Sequence, residues 1–474
     1  MWSLFEFSSA GMEVVLLLAG VYTVYKAVDL LMAPLASIPG PWHTKLTGAS
    51  RLIALLRGTS GDHAVDLHRT YGPIVRLDPT AVSVTDAGAV RSVLATHRFR
   101  KSEWYRVVQF GGERNVLSER DPVQYKSRKK MIAPAFSNVS MLSLEPIIME
   151  AGVDRMISVI ETKCVKEEPV DLFKLLMHMT LDVTGAVAFG GSFNMLSADA
   201  HPITSWLHGV MMLAVGRYMA GSRFSSLLLP GYARDETELI QHAVKMINQR
   251  RELRHPPTDI LQSLIEAVDE DTGEGLSTTQ LASEIITLLA MILLFEYPEC
   301  LQRLLSELDE SFPSLKEPVT HSKVINLPYL NAVLHETLRL RPPVSANLPR
   351  TVPPEGAVLC GQFVPGGTDI IISPYAVAND ARNYAHPSIF NPDRWLVGSE
   401  LASEMKQAYI PFSMGARACL GQNLAWLELR VTLAAILRRF TFELVPGQDL
   451  RPKVRALLEP AGAKLIVVVS KRTS

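Results

Sequence analysis

Phe412-Ser-Met-Gly-Ala-Arg-Ala-Cys-Leu-Gly421 decides the fold of this chain. One cysteine, two glycines, an arginine and an aromatic ring sit at short fixed offsets. An amphipathic run, Asn423 to Arg438, follows at once. A thiolate binds iron when its surroundings favour the anion. Cys419 falls at the expected start of a helix, where free N–H groups and the dipole favour negative charge. Gly415 and Gly421 permit a tight loop and close approach of a flat cofactor. Arg417 can pair with a carboxylate, and Phe412 can shield the sulfur from water. The competing reading is an inert, buried cysteine.

These residues match F-x-x-G-x-R-x-C-x-G at every specified position: Phe412, Gly415, Arg417, Cys419 and Gly421. The stretch resembles the haem loop of the cytochrome P-450 family, the haem-thiolate monooxygenases. The resemblance implies a mostly α fold with a minor β-sheet region, preceded by an N-terminal membrane anchor helix. It implies haem b with Cys419 as axial thiolate, an arrangement that favours O–O cleavage. NADPH electrons would arrive through NADPH–cytochrome P-450 reductase, and the substrate would be a lipophilic small molecule.

Composition agrees with that class. The chain has 474 residues, 47% hydrophobic and 20% charged, with a net charge of −1. This suffices for one large domain, and near-neutrality argues against nucleic-acid binding. Cys164, Cys300, Cys360 and Cys419 are widely separated. There is no CxxC pair and no covalent c-type haem motif. Such usage suits a reducing compartment.

At the N-terminus, Val14 to Tyr25 carries no charge, then Lys26 and Asp29 interrupt before Leu30-Leu-Met-Ala-Pro34. A spanning helix wants roughly 20 mostly apolar residues, which Met12 to Leu35 supplies if Lys26 snorkels. A cleaved signal peptide is the rival, but no Lys or Arg precedes residue 26 and no A-x-A site is present. Lys26, Lys45, Arg51 and Arg57 follow the apolar run, so the positive-inside rule puts the N-terminus in the lumen. The expected organisation is an anchor over 1–35, a Pro/Gly hinge over 36–42 (Ala36-Ser-Ile-Pro-Gly-Pro41) and a catalytic domain over 43–474. It would sit on the endoplasmic reticulum membrane, facing the cytosol.

Ile74 to Leu77 and Ala81 to Thr85 alternate around Asp78-Pro79 and predict a hairpin. Most of 140–310 shows helical periodicity. Ile370 to Ser373 and Lys464 to Val469 predict strands, and Pro342-Pro343 ends the helix carrying Glu336. Glu336 and Arg339 share a helix face at i, i+3. Phe390-Asn-Pro-Asp-Arg394-Trp lies further on. The resemblance implies a buried structural triad of Glu336, Arg339 and Arg394 that holds the haem loop. It also implies Arg350 as a propionate cation, with Tyr125 and Lys129 (or Arg128) standing where the family has W-x-x-x-R. Lysine lacks the guanidinium fork. Lys126, Arg128, Lys129, Lys130, Arg430, Arg438 and Arg439 suggest a cationic docking face for the reductase. The chain has no nucleotide-binding signature of its own: Gly273-x-Gly275 is not continued, since residue 278 is Thr278.

One landmark is missing. Ser277 to Gln280 predicts a capping box, and the central helix runs on through Leu281 to Tyr297. The family's A-G-x-[DE]-T-T is absent, and Thr287 is the one hydroxyl between Glu284 and Tyr297. Against the family pattern roughly 13 residues are lost near 287–293, which turns the downstream residues by about 220° at 3.6 residues per turn and predicts a misdirected apolar face unless the helix breaks. No catalytic acid–threonine pair can therefore be assigned. The alternatives are an inactive or truncated haem-binding member, or a haem-thiolate isomerase or dehydratase, which needs no dioxygen activation.

Overall fold

The computed structural model describes residues 17, 20–21, 33–198, 201–254, 259–266, 284–344, 347–396, 403–454 and 457–472. The expected anchor lies almost entirely outside these residues, as does the Ser277–Gln280 capping box. Among the described residues, no single helix is long and apolar enough to cross a membrane.

Four helices build the core: Leu172–Phe189, Glu284–Glu296, Pro328–Leu340 and Gln422–Arg439. Each has a sequence reason to form. Asp171 caps the first, its Oδ1 accepting the N–H groups of Phe173 (3.1 Å) and Lys174 (3.4 Å). Gly190 ends that helix at φ 74°. Pro328 opens the third at a position where its missing N–H is harmless. The last is buried on nearly every side, and Val431, Leu433, Ala434, Ala435 and Ile436 are fully buried. Helices of this kind are stabilised by burial rather than by intrinsic propensity.

The central helix Glu284–Glu296 changes one expectation. Thr287 through Leu294 are each at most 2% exposed. An all-apolar helix has no polar face to misdirect. A rotation of the downstream residues therefore leaves burial intact, and the helix continues unbroken to Tyr297, where Pro298 starts the next.

The expected hairpin is present as Ile74–Asp78 and Ala81–Val84, paired antiparallel. It opens a five-stranded sheet continued by Asp369–Ile372, Leu348–Thr351 and Arg100–Lys101. This sheet covers a second core that includes Leu35, Ile38, Val82, Val90 and Ile370. The segment read as a hinge is clamped to that sheet. Arg76, 2% exposed, donates from Nη1 to the carbonyls of Leu35 (3.1 Å) and Ile38 (2.7 Å) and from Nη2 to Pro41 (3.1 Å). Its Nε reaches Thr44 Oγ1 at 3.1 Å. A buried guanidinium requires such acceptors. The Pro/Gly segment is therefore a fixed strap, and the packed domain begins before residue 36.

Candidate active site

The loop 412–421 is shaped by backbone constraints. Gly415 has φ +68°, and a Cβ there would lie 2.6 Å from Ala95 Cα. Only glycine fits. The Cys419 N–H donates to the Phe412 carbonyl at 2.9 Å, which closes the loop. Cys419 itself is exposed, at the N-terminal side of helix Gln422–Arg439. Gly421, the N-cap, has an ordinary φ of −77°, so the turn does not demand glycine there. Its contribution is an N–H that donates to the Cys419 sulfur and favours the thiolate. Desolvation by the surrounding protein is larger, and the thiol is pushed up. A coordinating metal ion would favour the thiolate further.

A cation cluster flanks the loop. Arg350 is 2% exposed and pairs across the sheet with Lys101, 6% exposed. Like charges directly opposite on neighbouring strands destabilise a sheet. Burial, then Arg350 and Arg417, holds Lys101 well below its ordinary value. Its Nζ donates to the Leu117 carbonyl at 2.6 Å. Arg417 lies 3.4 Å over the Tyr125 ring and donates from Nη1 to the Glu119 carbonyl at 2.8 Å. Burial and Arg350 lower it too. Three mutually repelling cations beside an open sulfur suit the two carboxylates and iron of a haem. The residues present fit that group. Lys101 was missed in the sequence because a two-residue strand has no periodicity to read.

Tyr125 and Lys129 are aimed elsewhere than expected. The Tyr125 hydroxyl (2.8 Å) and Lys129 Nζ (2.7 Å) both donate to the Ala416 carbonyl. They tether the cysteine loop. Arg128 turns away, its Nη1 donating to the Arg114 carbonyl at 3.1 Å. The expected cationic face is also reduced. Arg438 is 2% exposed and donates to the carbonyls of Glu317 (2.8 Å) and Ser314 (2.6 Å). Arg430 stacks on Trp426 and donates to Asn331 Oδ1 at 2.7 Å. Burial brings it down to about 10. Lys126 and Lys130 remain exposed.

Behind the loop, the structure brings Glu336, Arg339 and Arg394 together. Arg339 grips Glu336 in a fork, Nη2 to Oε1 at 2.8 Å and Nε to Oε2 at 2.9 Å. Arg394 Nε reaches Oε1 at 3.0 Å. Two donors that the sequence did not reveal complete the carboxylate: Trp395 Nε1 at 2.7 Å and the Asn391 N–H at 3.0 Å. Arg339 also donates to the Ala378 (2.9 Å) and Pro387 (2.8 Å) carbonyls. His335 lies between Trp395, 5.1 Å and stacked, and Trp426, 4.6 Å away. Burial, then Arg430, brings its imidazole down to about 4. The Phe412 ring lies 6.3 Å from Trp426, so this aromatic group links the network to the loop.

On the central helix, Thr287 is fully buried, and its Oγ1 has no hydrogen-bond partner among the described residues. No acid is adjacent to it in the sequence: its neighbours are Ile286 and Leu288.

The comparisons point to one family. The Cytochrome P450 family model matches residues 39–467. A relative from Aspergillus niger, "Cytochrome P450 monooxygenase orf2", is 31% identical over 94% of this chain and 94% of its own. "Cytochrome P450 monooxygenase helB3" from Aspergillus fumigatus is 29% identical over 90% and 88%. "Cytochrome P450 monooxygenase LUC2" from Fusarium is 29% identical over 92% and 88%. The cytochrome P450DA haem domain superposes with a TM-score of 0.80 at 20% identity, covering 92% of this chain and 97% of that one. That likeness speaks to the fold. With the open cysteine, the cation cluster and the match over residues 39–467, the chain belongs to the cytochrome P450 family of haem-thiolate monooxygenases.

Proposed function

We propose that this chain inserts one atom of dioxygen into a C–H bond of a lipophilic secondary metabolite, with NADPH electrons delivered by a separate reductase. The observation that carries the reading is Cys419, exposed on a loop that buried cations flank. Bound haem supplies the redox-active iron at which dioxygen is reduced. The protein's own residues bind and orient. The Gly421 N–H donates to the Cys419 sulfur, and Phe412 packs beside Trp426 behind the loop. Lys101, Arg350 and Arg417 would pair with the propionates. Tyr125 and Lys129 fix the loop at Ala416. The part of the expected anchor over 1–35 that precedes the buried Leu35 serves as an endoplasmic reticulum anchor, with the catalytic domain in the cytosol and the strap over 36–42 setting its orientation. The uncharged run Val14 to Tyr25 and the basic residues after it support this placement.

The central helix favours a second reading. Proton delivery needs a donor within hydrogen-bond reach of the reacting oxygen, and Thr287 has no acidic neighbour in the sequence. A haem-binding protein with weak coupling, or an isomerase or dehydratase, would need no such relay. Reconstitution with a reductase separates the readings. Product formed in step with NADPH supports the monooxygenase. NADPH consumption that ends in peroxide supports the uncoupled protein. Turnover without NADPH supports the isomerase or dehydratase.

A further inference from the structure

The segment from Arg100 to Asp121 carries a second charged feature, next to the cysteine loop's cations. It encloses a recess of about 170 Å³ whose walls include Arg100, Arg106, Arg114 and Arg120, with Glu119 and Asp121. That space is roughly an order of magnitude above what one water needs. Glu103, just outside, pairs with both Arg106 and Arg120. Arg128 stands behind Glu119 at 4.0 Å. Five guanidinium groups thus face three carboxylates, a surplus of two positive charges.

The two carboxylates in the wall neutralise the arginines poorly, while Glu103 outside it pairs closely with Arg106 and Arg120. Glu119 is buried, yet it lies 3.9 Å from Arg114 and 4.0 Å from Arg128. Its close bond is to the Asp121 N–H at 2.8 Å. Asp121 is committed to capping helix Pro122–Ile132, accepting from Val123 at 2.7 Å and Gln124 at 3.3 Å. Arg128 Nε is buried without a hydrogen-bond partner among the described residues. A buried donor left so is unfavourable, and planar guanidinium forks match oxyanions.

We propose that this recess binds a phosphate group. A phosphate monoester carries about −1.5 to −2 charge at pH 7, which matches the surplus. Glu119 links the recess to the cysteine loop, because its backbone carbonyl accepts from Arg417 Nη1 at 2.8 Å. Occupancy would draw Arg114 from Glu119 and tighten the frame that holds Arg417. This link rests on the haem reading of Cys419; the binding does not.

The test is calorimetric titration of the full-length, detergent-solubilised protein with pyrophosphate at constant ionic strength. Saturable binding is expected. Arg114→Ala should weaken it about tenfold or more. Glu119→Gln, which removes the competing carboxylate, should strengthen it. Arg451→Ala, remote from the recess, should leave it unchanged. The Arg114 side chain is 62% exposed, so its removal should preserve folding, and thermal unfolding checks this. Vesicles containing phosphatidate, against phosphatidylcholine alone, separate the sources. Binding confined to pyrophosphate identifies a soluble ligand, and vesicle binding lost in Arg114→Ala identifies a lipid headgroup. No saturable binding, or equal binding by Arg114→Ala and wild type, overturns the proposal. Haem content measured on the same samples keeps the two readings apart. Haem-loaded protein that ignores pyrophosphate refutes the recess alone.

Discussion

Two parts of the core face the same task, holding the elements around Cys419 in place, and they do it by opposite means. Around Glu336, each polar group has a directed partner, and five donors converge on one carboxylate. Along Thr287 to Leu294 nothing is directed: the helix is apolar on all sides, with one hydroxyl unpartnered among the described residues. A directed network fixes geometry but does not tolerate change. An apolar cylinder tolerates rotation and shortening, because burial does not depend on register. The family's missing A-G-x-[DE]-T-T falls in the part that tolerates its loss.

Glu336→Ala should give the largest effect. Removing the shared carboxylate leaves Arg339 and Arg394 buried and uncompensated, with an expected loss of about 3–5 kcal/mol in chemical denaturation and little haem retained. Near-wild-type stability would break the contrast. Next comes Gly415→Ala. A side chain at φ +68°, 2.6 Å from the Ala95 backbone, should cost about 1–3 kcal/mol. It should also lower haem occupancy, measured by absorbance per protein. Full occupancy would show that the loop can shift.

Acid should reveal the buried histidines. His335 and His68 are each brought down to about 4, chiefly by burial, from an ordinary value of 6.5. The folded state thus refuses protons that the unfolded chain accepts. Their contribution is fully present above 6.5 and is lost as pH falls from 6.5 toward 4, at up to about 1.4 kcal/mol per pH unit for each. Denaturation midpoints across that range should fall less steeply in His335→Gln than in wild type. An unchanged slope would mean that the imidazole titrates normally. The smallest effect belongs to the apolar helix. Thr287→Val replaces a buried hydroxyl, without a partner among the described residues, with a methyl of similar size and should stabilise by about 1 kcal/mol. Destabilisation would show that the hydroxyl has a partner and that the helix is more directed than its burial suggests.

The same contrast explains what the sequence revealed. Glu336, Arg339 and the cysteine loop were legible because short offsets along one chain dictate which side chains meet. Trp395 and the Asn391 N–H were not, since they reach Glu336 across a tertiary contact. The Arg76 strap and the Lys101–Arg350 pair were hidden for the same reason: tertiary packing in the first and strand register in the second, not spacing, bring them together. Tyr125 and Lys129 were found as residues, but their target was not. A donor's direction depends on where the Ala416 carbonyl is carried by the fold. Arg438 looked like a surface cation because its charge gave no hint of the two loop carbonyls that bury it.

The account rests most heavily on Cys419 as the iron ligand. The direct measurement is the absorbance spectrum of the reduced, carbon monoxide-treated full-length protein beside that of Cys419→His. The account predicts the strongly red-shifted band of thiolate-bound haem in the wild type, moved to the ordinary histidine-haem position in the variant. The same spectrum from both proteins, or no red-shifted band from haem-loaded wild type, would contradict it.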